Sequence, residues 1–364
     1  MTHPPGPALV PIFAPASIHL APFEVAGAIL AAIVVLLAAF VAALPWIAQP
    51  FVKLVMSVRY NFRVIGRENI PKSGPVLLVS NHLSWFDGFF LAANIPRKGT
   101  ALVNSNVFGW PVVGFLARRC GLISVPYSGP KAQRAAIETC RKVLDDGGFL
   151  AIFPEAQLTR TGMTAPFHRG LELILAGREQ VAVIPVYLDN VWGSVTSFSG
   201  GRFFTKWPKG LRRTVVVSFG PAIGPPVTAF AARQAVLVAG VTARSALARP
   251  PARPETIDPE RPHFDHPSLG PLTASTADVV EPKVPLHQVG HKPGTIGHPL
   301  PGVAIRIVDE EGKPLGPDTE GRIQALVPCR AEWSDIGYRG RIDPDGFVTL
   351  VDATDQEGPK AVTA

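Results

Sequence analysis

The sequence predicts an α/β fold: a mostly parallel sheet flanked by helices, preceded by one long apolar helix and followed by a small β-rich tail. Three observations lead there. Short continuous apolar runs such as Val76–Val79 and Phe149–Phe153 suit strands buried on both faces, and they alternate with amphipathic helical stretches. Residues 25–44 carry no charged or polar side chain. Beyond a proline-crowded stretch, the pattern turns to alternating strands with tight turns.

Length and composition set the bounds. A chain of 364 residues has room for one large or two ordinary domains. Hydrophobic residues make up 47% and the mean hydropathy is +0.22, high for a freely soluble protein. The net charge of +7 suits an anionic lipid surface or nucleic acid. Zinc-finger spacing, RNA-binding aromatic motifs and lysine-rich arms are missing from the sequence, so lipid is favoured and nucleic acid is not expected. Cys120, Cys140 and Cys329 are far apart and odd in number, which predicts reduced, buried thiols in a cytosolic compartment.

Residues 1–24 are proline-rich and read as irregular. The apolar run Val25–Leu44, extended to a helix over 25–48, reaches about 30 Å at about 1.5 Å per residue, the hydrocarbon thickness of a bilayer. A membrane helix is the expectation; a buried core helix or a re-entrant hairpin would use the same residues. Lys53, Arg59, Arg63 and Arg67 follow the run and only Glu24 precedes it, which places the main domain on the cytoplasmic side of the cell membrane. Strands are expected at Val76–Val79, Ala101–Val103, Gly121–Val125, Phe149–Phe153, Val181–Leu188 and Thr214–Phe219. Helices are expected over Lys131–Asp146, Arg169–Gly177 and Thr228–Leu247. Residues 249–275 read as a proline-rich linker, residues 276–354 as a β-rich segment, and 355–364 as a disordered end. Within that segment Gly302–Val308 and Gly321–Val327 make a hairpin around Asp309–Pro314.

Two stretches carry candidate chemistry. Asn81-His82 follows the apolar strand Val76–Val79, and Asp87 comes five residues after His82. Ligand-contacting groups of open α/β sheets gather at such strand ends. If the chain turns into a helix there, Asp87 can hold one ring nitrogen and leave the other as a general base. A surface histidine capping a helix is the plainer reading. The second stretch is Phe153-Pro-Glu-Ala-Gln-Leu-Thr-Arg-Thr-Gly162. Glu155, Thr159 and Arg160 supply a carboxylate, a hydroxyl and a planar guanidinium at one strand end. They suit a phosphate clamp or a solvated βα loop equally.

Taken together, Asn81-His82-x4-Asp87, Gly121–Pro126, Phe153-Pro-Glu-Ala156 and Val183-Ile-Pro-Val186 occur in an order that resembles the glycerolipid acyltransferase family, which includes lysophosphatidic acid acyltransferases. The resemblance spans about residues 58–248. Thr159–Gly162 followed by Pro166–Glu172 looks most like the acyltransferase part of 2-acylglycerophosphoethanolamine acyltransferase/acyl-carrier-protein synthetase fusions. It implies a glycerolipid-acyltransferase-like fold and acyl transfer to the hydroxyl of a lysophospholipid. The donor would be a thioester of acyl carrier protein or coenzyme A. His82 would be the base, Asp87 its orienter, and Asn81, Glu155, Thr159 and Arg160 would contact the acceptor. No metal and no bound cofactor is implied, and membrane phospholipid and the acyl donor are the partners. Ala156 stands where the family usually has glycine, and Val125-Pro126 where a basic residue is common.

The tail has its own resemblance. Lys292–Gly302 and Gly340–Phe347 look like pieces of the adenylate-forming ligase family, without its phosphate loop or catalytic lysine. A shortened, non-adenylating remnant is the expectation for 276–354; a β-rich interaction module fits these residues as well. The competing function for the whole chain is a non-catalytic lipid-binding or scaffold remnant of such a fusion.

Overall fold

The computed structural model describes residues 22–126, 129–202, 204–207, 210–281 and 286–353. The irregular start expected over 1–24 lies outside these residues up to residue 21, as does the end expected over 355–364. The chain divides into two units, Met1–Leu44 and Pro45–Ala364.

Helix α1 (Pro22–Arg59) is longer than the 25–48 expected and runs through Pro45 and Pro50. A proline removes one helical hydrogen bond, and a long helix with bonded turns on both sides need not end there. Its stretch Ile29–Arg59 is long and apolar enough to cross a bilayer, and none of the apolar window is buried.

After the end of α1, the second unit holds β1 (Tyr60–Ile65), β2 (Val76–Ser80), α2 (Asp87–Asn94), β3 (Thr100–Asn104), α3 (Ser105–Phe108), α4 (Pro111–Arg119) and β4 (Ile123–Val125). It continues through α5 (Pro130–Asp145), β5 (Phe149–Ile152), α6 (Gly170–Leu175), β6 (Ala182–Asp189), β7 (Arg213–Phe219) and α7 (Ala229–Ala246). One sheet of order β1-β7-β6-β2-β5-β3-β4 results, and every neighbouring pair is parallel except β6 with β7. The continuous apolar strands hold its centre: Val76–Val79 of β2 have no exposed surface. One core packs on each face, with Cys140, Leu144, Leu171, Ala232 and Val236 on one side and Phe90, Leu91 and Val191 on the other. Helix α7 starts on a capping bond from the Ala231 N–H to Thr228 Oγ1. Of the three thiols only Cys140 is buried, where desolvation pushes it up to about 12; Cys329 is exposed, so the expectation of three buried thiols is corrected.

The tail adds β8 (His263–His266), β9 (Gly270–Ala274), β10 (Val279–Glu281), β11 (Leu286–Gln288) and β12 (His298–Pro299). Then come β13 (Ala304–Val308), β14 (Gly321–Leu326), β15 (Ser334–Ile342) and β16 (Val348–Ala353). The last four form an antiparallel sheet whose first hairpin is the one expected. The linker expected over 249–275 is only in part a linker. Its second half forms β8 and β9, with Phe264 and Leu272 buried. Proline content misled here: Pro271 sits in β9 opposite a register shift at Phe264/Asp265, a place where a strand tolerates it. The tail core is not separate either. It includes Met163, packs against Phe230, and sets Ala304 against Leu237 and Val241 of α7.

Candidate active site

Three adjacent parallel strands, β6, β2 and β5, deliver their carboxyl ends to one edge of the sheet. His82 lies two residues past β2, and Phe153-Pro154-Glu155 directly follows β5. Asp87 begins α2 and is fully buried. Its Oδ2 accepts from His82 Nδ1 at 2.9 Å, from the Leu83 N–H at 2.6 Å and from the Ser84 N–H at 2.8 Å. Its Oδ1 accepts from Ser84 Oγ at 2.9 Å. A carboxylate can only accept, so Nδ1 is the donor of this bond, and in the neutral ring Nε2 is the nitrogen left with a lone pair. The ring is stacked on Phe153 at 4.1 Å and remains 22% exposed, so it is both fixed and reachable.

The backbone of His82 is pinned as well. Its N–H donates to Glu155 Oε1 at 2.9 Å, and its carbonyl accepts from the Thr159 N–H at 3.0 Å. Glu155 is 1% exposed, and its second oxygen accepts from the Ala165 N–H at 2.9 Å. Burial pushes its carboxyl up to about 8, against the pull of both N–H donors and of Arg233. Arg233, itself buried, donates to the carbonyls of Ala165 and Thr164 at 3.2 and 2.9 Å. Desolvation lowers its pKa to about 10, opposed by the charges of Glu155, Asp343 and Asp345.

The residues expected to contact an acceptor therefore have other duties in the folded chain. Asn81 is buried and bridges the backbone of Leu188, donating to its carbonyl at 3.1 Å and accepting from its N–H at 2.8 Å. Thr159 is buried with Oγ1 donating to the Met163 carbonyl at 2.8 Å. Glu155 braces His82 from beneath. Only Arg160 keeps a cation near the surface: its guanidinium lies over the Phe198 ring at 3.3 Å, and Nη2 meets Glu281 Oε2 at 2.5 Å. Ala156, in the family's glycine position, has φ +55°, the left-handed region that glycine enters without strain.

Sequence reasoning missed Ser84, Arg233, Glu281 and Gln288. Arg233 had a signal. It shares the buried face of α7 with Ala229, Ala232, Val236, Leu237 and Gly240, a lone charge on an apolar stripe. Arg119 lines a cleft of about 330 Å³ with Lys98, Thr100 and Phe149. That cleft opens at the amino-terminal ends of β3 and β5, the opposite end of the sheet from His82. Among the described residues, no group of three or more histidine, cysteine or acidic side chains gathers to hold a metal ion.

Residues 61–189 match the model of the Acyltransferase family. Over 127 residues the chain is 28% identical to a 1-acyl-sn-glycerol-3-phosphate acyltransferase of Borreliella burgdorferi, covering 35% of this chain and 50% of that protein. Over 130 residues it is 26% identical to a Chlamydomonas reinhardtii protein of the same name, covering 35% and 39%. The chain thus spans half or less of the length of the curated relatives it matches. Among solved structures, it is similar to the PlsC 1-acyl-sn-glycerophosphate acyltransferase of Thermotoga maritima at 20% identity and a TM-score of 0.43, covering 55% of this chain and 78% of that one. MatB of Rhodopseudomonas palustris matches at 22% identity and a TM-score of 0.21, over 26% and 20%.

Proposed function

We propose that this chain is a membrane-associated acyltransferase that moves a fatty acyl group from a thioester of acyl carrier protein or coenzyme A to the hydroxyl of a lysophospholipid. The acceptor is of the lysophosphatidic acid or 2-acylglycerophosphoethanolamine type. The observation that carries the reading is the His82–Asp87 pair, held at 2.9 Å with Nε2 left to face a substrate, inside the segment that matches the Acyltransferase family. Nε2 takes the proton of the acceptor hydroxyl as its oxygen attacks the thioester carbonyl. The new C–O bond forms, the C–S bond breaks, and the proton passes from His82 to the departing thiolate. Asp87 keeps Nδ1 protonated and steadies the imidazolium in between. No acyl-enzyme is required.

A lipid acceptor is supported by what surrounds the pair. Trp85 and Phe89 are exposed beside it, and Phe86 packs against the exposed Phe204 at 6.1 Å. The Trp85 N–H also donates to the Thr196 carbonyl at 3.1 Å, joining this segment to the loop that carries Phe204. Arg212 in turn donates to the Ser57 carbonyl near the end of α1 at 2.6 Å. Exposed aromatic rings thus stand beside His82, surface against which a lipid chain can lie while its head group reaches the base. The catalytic unit faces the cytoplasm, where both donors are found and where the basic residues after the apolar run point.

The test is acyl transfer by membranes or detergent extracts holding the full chain, with a panel of lysophospholipids and both donors. At least one pair should give product in wild type and about 10²–10⁴-fold less in His82→Ala. Absence of transfer from wild type with every pair would sink the reading.

A further inference from the structure

The tail reaches the loop that follows β5 through its hairpin β10–β11. Gln288, 7% exposed, accepts from the Arg160 N–H at 2.7 Å through Oε1 and donates to the Leu158 carbonyl at 3.0 Å through Nε2. Its side-chain amide thereby imitates a neighbouring strand. Between these two residues, Thr159 donates its N–H to the His82 carbonyl. Residues 158–160 are thus gripped by the tail on one side and by the catalytic segment on the other. The same hairpin supplies Glu281, whose carboxylate meets the Arg160 guanidinium at 2.5 Å. Arg160 lies over Phe198, and the adjacent Ser197 forms a bridge with Ser84 of the catalytic segment. The cation therefore sits beside the His82–Asp87 segment with an anion from the tail already on it.

We infer that Glu281 is an internal counter-ion which an acceptor's phosphate must displace from Arg160, so that the tail hairpin sets how strongly the site prefers phosphate-bearing acceptors. The inference rests on the proposed acyl transfer for its meaning. The chemistry favours exchange. Arginine binds carboxylate and phosphate through the same planar fork. Glu281 is 41% exposed and sits at a hairpin end, so it can swing away, whereas Gln288 is buried and keeps the backbone of Arg160 in place. A partly exposed ion pair shifts an equilibrium by up to about fivefold. That is enough to tune a preference without preventing binding.

The experiment uses the full chain in nanodiscs doped with 1-acylglycerol 3-phosphate, with monoacylglycerol as the phosphate-free probe. Glu281→Gln should tighten binding of the phosphate-bearing lysolipid about two- to fivefold and leave monoacylglycerol binding unchanged. In an Arg160→Gln background the same substitution should have no effect. In transfer assays the change should appear in KM and not in kcat. Unchanged binding of the phosphate-bearing probe, equal tightening of both probes, or an effect that persists without Arg160 would overturn the inference. Tightening as expected with no transfer from wild type would leave it standing and overturn the proposed reaction alone.

Discussion

His82 and Arg160 stand at one edge of the same sheet and are held in opposite ways. The carboxylate that orients His82 takes its donors from residues 82–84, so the pair is closed by one turn of chain. Arg160 is held by Glu281 and Gln288, 121 and 128 residues further on. A locally closed site forms wherever its few residues fold. A site closed at long range exists only when a second part of the chain has folded against it. The His82–Asp87 pair thus belongs to the sheet domain, while the hold on Arg160 is shared between that domain and the tail.

The largest effect should come from the local half. His82→Ala should lower acyl transfer by about 10²–10⁴-fold, the usual contribution of a general base, with the melting temperature little changed. Asp87→Asn should act on both counts, because its amide oxygen can keep the three N–H donors only as a neutral acceptor and its NH2 turns the Ser84 hydroxyl from donor to acceptor in a buried place. A stability loss of about 1–3 kcal/mol is expected beside the lost activity, read by thermal denaturation and transfer assay. Full activity in His82→Ala would remove the basis of the comparison.

A chain ending at Arg249 tests the long-range half. It loses Glu281 and Gln288 and uncovers Met163, Leu237 and Val241. The linker reading expects such a chain to keep its activity. The packing predicts a loss of up to about 10²-fold, as for a misplaced active-site loop, together with a lower melting temperature. Unchanged transfer and stability would show that residues 158–160 are as autonomous as the pair at His82.

Glu155 lies between the two halves. Glu155→Gln keeps one acceptor but turns an NH2 toward an N–H donor, at a cost of about 1–3 kcal/mol. The pH dependence has a defined sign. Between the ordinary 4.5 and about 8 the folded chain keeps a proton on Glu155 that the unfolded chain has released. Stability should therefore fall as pH rises through that window, and the slope should flatten in Glu155→Gln. Buried His298, held down to about 3, acts in the opposite direction below pH 6.5, so the difference between wild type and variant isolates Glu155. The smallest effect is expected at Ala156. Relief of its left-handed backbone is worth about 1–2 kcal/mol, and the added freedom of glycine in the unfolded chain offsets about 0.4–1 kcal/mol. Ala156→Gly should therefore raise the denaturation midpoint slightly and leave transfer unchanged.

These differences follow how far a residue's partners lie along the chain. The central strands were legible as uninterrupted apolar runs, because a parallel strand covered on both faces has no polar side to show. Helix α5 was legible from its periodicity and α7 from its run of alanines. The His82–Asp87 pair could be read because its geometry needs only a strand end and one helical turn. Strand β1 was missed. As an edge strand paired with β7 it alternates buried with exposed positions over only six residues, with Asn61 and Arg63 in its middle. The linker reading failed because proline content describes local backbone, while Phe264 and Leu272 find their core partners far away in sequence.

By itself the sequence determined the α/β class, the apolar helix and the pairing of His82 with Asp87, since each rests on patterns within a few turns of chain. Only the tertiary structure decided that Asn81 ties to Leu188, Thr159 to Met163 and Glu155 to the backbone of His82. Burial and the direction of a hydrogen bond depend on what packs across from a residue. It alone also brought the tail's Glu281 and Gln288 to Arg160, because nothing in the local spacing of an arginine says which distant carboxylate will meet it.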